Sequence, residues 1–169
     1  YQLAAQPSRS WLARRLRDWG GPYSAWLDIE GFHLASFSPE RFVSISAAGE
    51  VETTPIKGTM PRSSDPEQDR KWRDALATSD KDRAELSMIV DLMRNDFTKV
   101  CESDSVTVPK LFDVETYATV HQLVSTVTGK LRVGFDAISA LEAAFPGGSM
   151  TGAPKFRAVE IIGELEQGK

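Results

Sequence analysis

The 169 residues carry 20 Lys and Arg against 24 Asp and Glu, a net charge of −4, with 41% hydrophobic side chains. That length supports one domain with a real core, and an acidic balance without a basic cluster argues against a nucleic-acid partner. No run of 18 apolar residues and no signal-peptide pattern is visible, and a lone Cys101 forbids an internal disulfide, so no membrane partner and a reducing, cytoplasmic location are expected.

Ser8 to Trp19 places Trp11, Leu12, Leu16 and Trp19 at near-helical spacing, with Ser8 or Ser10 as N-cap and Gly20-Gly21 as the stop. Strand signals follow. Tyr23 to Ile29 and Phe32 to Phe37 flank a Glu30-Gly31 turn, and Ser38-Pro39-Glu40 breaks the run. Arg41 to Ser46 alternates polar and apolar residues, and Val51 to Ile56 returns toward Lys57 after a turn at Ala47-Ala48-Gly49, which together read as an antiparallel meander.

Pro66 to Thr78 reads as a polar helix. A second helix starts at Asp80 or Asp82 and runs to about Val100, with Leu86, Ile89, Val90 and Met93 as its apolar stripe. Strands are expected near Ser105–Val108, Val114–Thr119 and Leu123–Leu131, then a helix from Phe135 to Ala144. Phe145 to Gly152 is a glycine-rich loop, and Pro154 to Glu166 is a final helix with proline at its first position. Short strands mixed with long helices indicate an α+β fold, antiparallel sheet covered by helices. The chain starts at Tyr1 without methionine and stops at Lys169 straight after a helical pattern, so it reads as a piece of something longer.

Four features carry chemistry. Lys57 lies between a hydrophobic strand-like run and Gly58-Thr59, and glycine allows close approach of a ligand. A nucleophilic lysine must be neutral, and an ordinary lysine is so in only about one molecule in a thousand near pH 7.4, so desolvation or a nearby cation has to favour the free amine. Glu40 sits at a bend where a carboxylic acid can face a cleft; a surface glutamate in a turn is the alternative. Asp82 and Glu85 are three apart on a helix, and two hard oxygen donors on one face can hold Mg²⁺, or can simply be a solvated face beside Lys81 and Arg83. Gly147 to Lys155 is glycine-rich and leads into a helix. A phosphate loop is excluded because Ala153 and Pro154 stand where Lys and Ser or Thr are required; a carboxylate ligand fits better than a nucleotide, and a tight loop joining two helices is the alternative. His33 and His121 have no metal-ligand spacing, and His33 reads as structural.

Together these segments resemble the chorismate-utilising enzymes. The matching strings are SPERF (38–42), PIKGTMPR (55–62), KDRAELSMIVDLMRND (81–96), HQLVSTVTG (121–129) and FPGGSMTGAPKFRAVEIIGELE (145–166), with a looser likeness in YQ at 1–2 and PYSAWL at 22–27. The resemblance implies an anthranilate-synthase-like chorismate-binding fold, with residues 1–169 forming part of the catalytic domain. It also implies that an amino group from ammonia, supplied by a glutamine amidotransferase subunit or domain, replaces the C4 hydroxyl of chorismate on the route to folate. Lys57 stands where anthranilate-forming relatives usually have alanine, which points to the 4-amino branch, with Lys57 as nucleophile and Glu40 as general acid. Glu85 matches a Mg²⁺ ligand and Asp82 a nearby acidic position. Gly58, Thr59, Gly148, Ser149, Thr151 and Gly152 match contacts to the substrate carboxylate. Gln122 stands where anthranilate-forming relatives have histidine. The family continues past the residue matching Lys169, into a second acidic metal segment and groups that hold the enolpyruvyl side chain. The competing readings are an anthranilate-forming enzyme and a non-catalytic piece that binds an amidotransferase.

Overall fold

The computed structural model describes residues 8–30 and 32–166; Tyr1-Gln2 and the Gly31 half of the expected turn lie outside them. The chain divides after Arg41 into two compact units.

In the first unit, helix α1 spans Arg9–Trp19. The Ser8 hydroxyl accepts from the Trp11 amide, and the Gly20 amide donates to the Leu16 carbonyl, so cap and stop fall where the sequence puts them. Strands β1 (Tyr23–Ile29) and β2 (Phe32–Ser38) form an antiparallel pair in which Tyr23 faces Ser38 and Asp28 faces His33.

The second unit is built on a five-stranded antiparallel sheet: β3 (Ser44–Ile45), β4 (Glu50–Thr53), β5 (Ile56–Pro61), β6 (Thr107–Thr116) and β7 (Val120–Lys130). β7 is the organising strand. β6 runs along one edge of it, while β4 pairs with its residues 127–130 and β5 with residues 120–124. A strand has two edges, so β4 and β5 lie end to end on the edge opposite β6. They are interrupted at Thr54-Pro55, where the Pro55 carbonyl accepts from the Ser125 amide at 3.2 Å.

The meander expectation is corrected here. β1–β2 and β3–β4 are hairpins of separate sheets, and β4 and β5 are joined through β7 rather than being one strand. The predicted strands near 105–108 and 114–119 are one strand with two register shifts. The pattern breaks because Phe112 adopts a φ of 57°, and its amide donates to the buried Ser125 hydroxyl at 3.1 Å.

Helices α2 (Pro66–Ala77) and α3 (Asp80–Thr98) cover the sheet, capped by Asp65 and Ser79. Leu86, Ile89, Val90 and Met93 are all buried and join Leu76, Phe97, Val51, Leu123 and Val127 in one core. Helix α4 (Ala137–Ala144) begins with a capping box formed by Asp136 and Ser139, and adds Ala140 and Ala144 to that core. A four-residue turn of helix, α5 (Gly148–Thr151), lies inside the glycine-rich segment, and α6 spans Lys155–Glu166. Pro154 therefore precedes the helix, its carbonyl accepting from the Ala158 amide at 3.0 Å, rather than opening it.

Candidate active site

Lys57 owes its position to a bulge. On β5, Ile56 faces Val124 and Thr59 faces Gln122, so three steps along β5 match two along β7. The extra residue falls at Lys57-Gly58, where Gly58 has a φ of 81°. The bulge re-aims the lysine, whose half-buried ammonium donates a long bond of 3.5 Å to the Ser149 carbonyl. Gly58 is also required by space. A methyl group there would lie 2.9 Å from Leu76 Cδ1 and 2.8 Å from Asp82 Cγ. Thr59, the next residue, is exposed.

The glycine-rich loop approaches from the other side of the sequence. Gly148 is buried, and a Cβ there would lie 2.3 Å from Leu92 Cδ2 on α3. Gly147 sits against the Phe42 ring, and Gly152 has a φ of 85°. Ser149 and Thr151 are half-buried, the Thr151 hydroxyl donating to the Gly147 carbonyl at 3.4 Å. Lys57, Gly58, Gly148 and Ser149 are thus brought together, with Asp82 beneath Gly58.

The two α3 carboxylates differ in their surroundings. Asp82 is half-buried, accepts from the Ser79 hydroxyl at 2.5 Å and returns its own amide to that hydroxyl at 3.3 Å, a reciprocal cap on α3. Glu85 is exposed, 3.9 Å from the Lys81 ammonium. Hard oxygens of this kind fit Mg²⁺, which keeps several waters and takes substrate oxygens; Glu85 has its carboxylate open to such a shell, while one Asp82 oxygen is engaged by Ser79. Among the described residues no group of three His, Cys, Asp or Glu side chains is arranged to hold a metal ion.

Glu40 belongs to the first unit and is half-buried at its bend. Its amide donates to the Ser38 hydroxyl at 3.3 Å and its carbonyl accepts from the same hydroxyl at 2.8 Å, so Ser38 shapes the turn that presents it.

The chorismate-binding enzyme family matches residues 4–169. The chain belongs to this family. It is 56% identical over 147 residues to an aminodeoxychorismate synthase from Streptomyces pristinaespiralis, covering 87% of this chain and 20% of that protein. It is 55% identical over 145 residues to aminodeoxychorismate synthase component 1 from Escherichia coli, covering 86% of this chain and 32% of that protein. A crystal structure of anthranilate synthase component I from Streptococcus pneumoniae superimposes with a TM-score of 0.82 at 35% identity, over 98% of this chain and 36% of that one. The chain therefore spans between a fifth and about a third of the length of these relatives.

Two further clusters in this chain were not legible as clusters in its sequence. His121, isolated by spacing, is buried; its ring nitrogens contact Thr116 Oγ1 at 2.9 Å and Asp69 Oδ1 at 3.1 Å. Asp69 also takes two bonds from the Arg62 guanidinium, at 2.8 and 3.0 Å, and one from the Ser63 amide. The Arg62 guanidinium, with help from the Ser63 amide and His121, holds the Asp69 carboxyl well below the usual carboxylate range. This network ties the end of β5 to α2 and the β6–β7 turn. The second cluster joins Asp96, Lys99 and Lys155. The strings PR, HQ, RND and GAPK contain most of these residues, but no spacing pairs positions 52 or 59 residues apart. His33, by contrast, is exposed on β2, 2.9 Å from Asp28, the structural setting its position implies.

No helix among the described residues is long and apolar enough to cross a membrane.

Proposed function

We propose that this chain is part of an aminodeoxychorismate synthase component I, which replaces the C4 hydroxyl of chorismate with an amino group to give 4-amino-4-deoxychorismate. The convergence of Lys57 with the glycine-rich loop, 92 residues away in the chain, carries the reading. The relatives named aminodeoxychorismate synthase, at 55–56% identity, support it.

In this reading the free amine of Lys57 attacks ring C2, both ring double bonds shift toward C4, and the C4–O bond breaks. Glu40 donates its proton to the departing hydroxyl, which leaves as water. Ammonia then adds at C4, both ring double bonds shift back, and the C2–N bond to Lys57 breaks, a proton lost by the added nitrogen restoring the free amine. Splitting the substitution in this way is covalent catalysis. Gly58, Thr59 and the loop residues Gly148, Ser149, Thr151 and Gly152 hold the substrate carboxylate. Glu85, with Asp82 beside it, would hold Mg²⁺, whose charge offsets that of the ring carboxylate. A glutamine amidotransferase subunit or domain supplies the ammonia, and the product feeds folate synthesis.

The likeness to anthranilate synthase component I favours a second reading, an enzyme that eliminates pyruvate. Lys57 and Gln122 argue against it, since they stand where the resemblance gives anthranilate-forming relatives alanine and histidine. Product chromatography of the full-length protein with chorismate, Mg²⁺ and ammonia decides between the two. 4-Amino-4-deoxychorismate without anthranilate is expected, and anthranilate as main product would sink the proposal.

A further inference from the structure

Lys155 opens α6 yet is buried, 7% exposed, and its partner Asp96 on α3 is 1% exposed. The Lys155 ammonium donates to Asp96 Oδ2 and, at 2.8 Å, to the Ala144 carbonyl at the end of α4. The Lys99 ammonium takes the other Asp96 oxygen at 2.7 Å. One carboxylate on α3 is therefore tied to both ends of the segment 145–154. One helical turn back on the same face of α3, Leu92 occupies the space that a side chain at Gly148 would need. The loop is fixed to α3 at its two ends and at its middle.

A buried ion pair is a poor device for stability alone, because desolvating both charges offsets their attraction and an apolar pair does as well. What the pair supplies is direction: an ammonium shared between a carboxylate and a backbone carbonyl sets where both chain segments lie. Ser149 follows Gly148, and its carbonyl is the group that Lys57 contacts. We propose that Asp96 and Lys155 are positioning residues, a buried clamp that holds the glycine-rich loop at a fixed depth against α3 and thereby orients Lys57. The kinetic part of this inference rests on the lysine chemistry proposed above; the structural part does not.

The test uses the full-length protein with the neutral double variant Asp96→Asn/Lys155→Met, which leaves no unpaired buried charge. Thermal unfolding and circular dichroism check the fold. Hydrogen exchange of amides 147–152, measured without substrate, is expected to accelerate by about 10-fold or more as the loop opens locally. At saturating chorismate and Mg²⁺, the rate of covalent adduct formation on Lys57 is expected to fall by about 100-fold, the scale of a 1 Å misplacement. Gly148→Ala, which lifts the loop off Leu92 while leaving the clamp intact, should slow the adduct in the same way. If the double variant fails to fold, Lys155→Arg takes its place, since it keeps the charge but brings a larger planar head to the Ala144 carbonyl, and the same two changes are expected. Lys99→Met, which leaves Lys155 on Asp96, should change neither. A folded clamp variant with wild-type loop exchange and wild-type adduct rate overturns the proposal. Faster loop exchange in the variant, with no Lys57 adduct even in the wild-type protein, supports the clamp and removes the lysine chemistry instead.

Discussion

Gly58 and Asp82 lie so close that a methyl group on Gly58 would come within 2.8 Å of the Asp82 carboxyl carbon. The lysine-bearing bulge of β5 therefore rests on the first turn of α3. Gly58→Ala meets two penalties, a φ of 81° that a side chain resists and the clash with Asp82 and Leu76. We expect a loss of stability of about 1–3 kcal/mol from the backbone conformation alone, together with a slower reaction at Lys57. Thermal unfolding and single-turnover kinetics measure the two. An unchanged melting temperature would mean that the bulge relaxes freely.

The same contact separates the two α3 carboxylates. Asp82→Ala removes the partner of the Ser79 hydroxyl and should cost about 0.5–1.5 kcal/mol of stability. Glu85→Ala removes an exposed side chain and should leave the melting temperature unchanged, while weakening Mg²⁺ dependence and substrate binding far more than Glu67→Ala on α2. Identical Mg²⁺ titrations of Glu85→Ala and the wild type would count against the metal assignment.

Lys57 should form a covalent adduct with chorismate when Mg²⁺ is present and ammonia absent. The protein mass should rise by that of chorismate less one water, and peptide mapping should find the addition on Lys57. Lys57→Ala and Lys57→Arg should both abolish it, because guanidinium stays protonated. Glu40→Gln should slow it by about 10²–10⁴-fold, the usual worth of a general acid. Full activity in Lys57→Ala would reduce the lysine to an electrostatic contact.

Asp69 sets an acid limit on the fold. Its carboxyl is held low in the folded protein, so the stability it contributes is fully present above the unfolded value of about 3.9 and drains away as pH falls below it toward the folded value. Asp69→Asn should lower the melting temperature at neutral pH and flatten its decline below about pH 4. Asp136, held low chiefly by the Ser139 amide and also by its hydroxyl, keeps its share of the acid dependence in both proteins. Melting curves from pH 7 to acid measure this, and parallel declines in the two proteins would show that Asp69 is not the group responsible.

Much of the architecture can be read from local pattern. The stripe Leu86, Ile89, Val90, Met93 announces α3 and its buried face, and Ser8 and Gly20 mark the ends of α1, because period and capping depend on residues a turn apart. The strings around Lys57, Glu85 and the glycine-rich loop likewise name the family. What the chain by itself does not determine is anything held by distant partners. That β7 separates β6 from β4 and β5, that the lysine run bulges at Gly58, and that Lys57 meets Ser149 all follow from hydrogen bonds between segments tens of residues apart. Nothing in the sequence marks Lys155 and His121 as buried, because only the folded core brings Asp96 and Asp69 to them, and a buried cation or imidazole is tolerated only where such a partner is already in place.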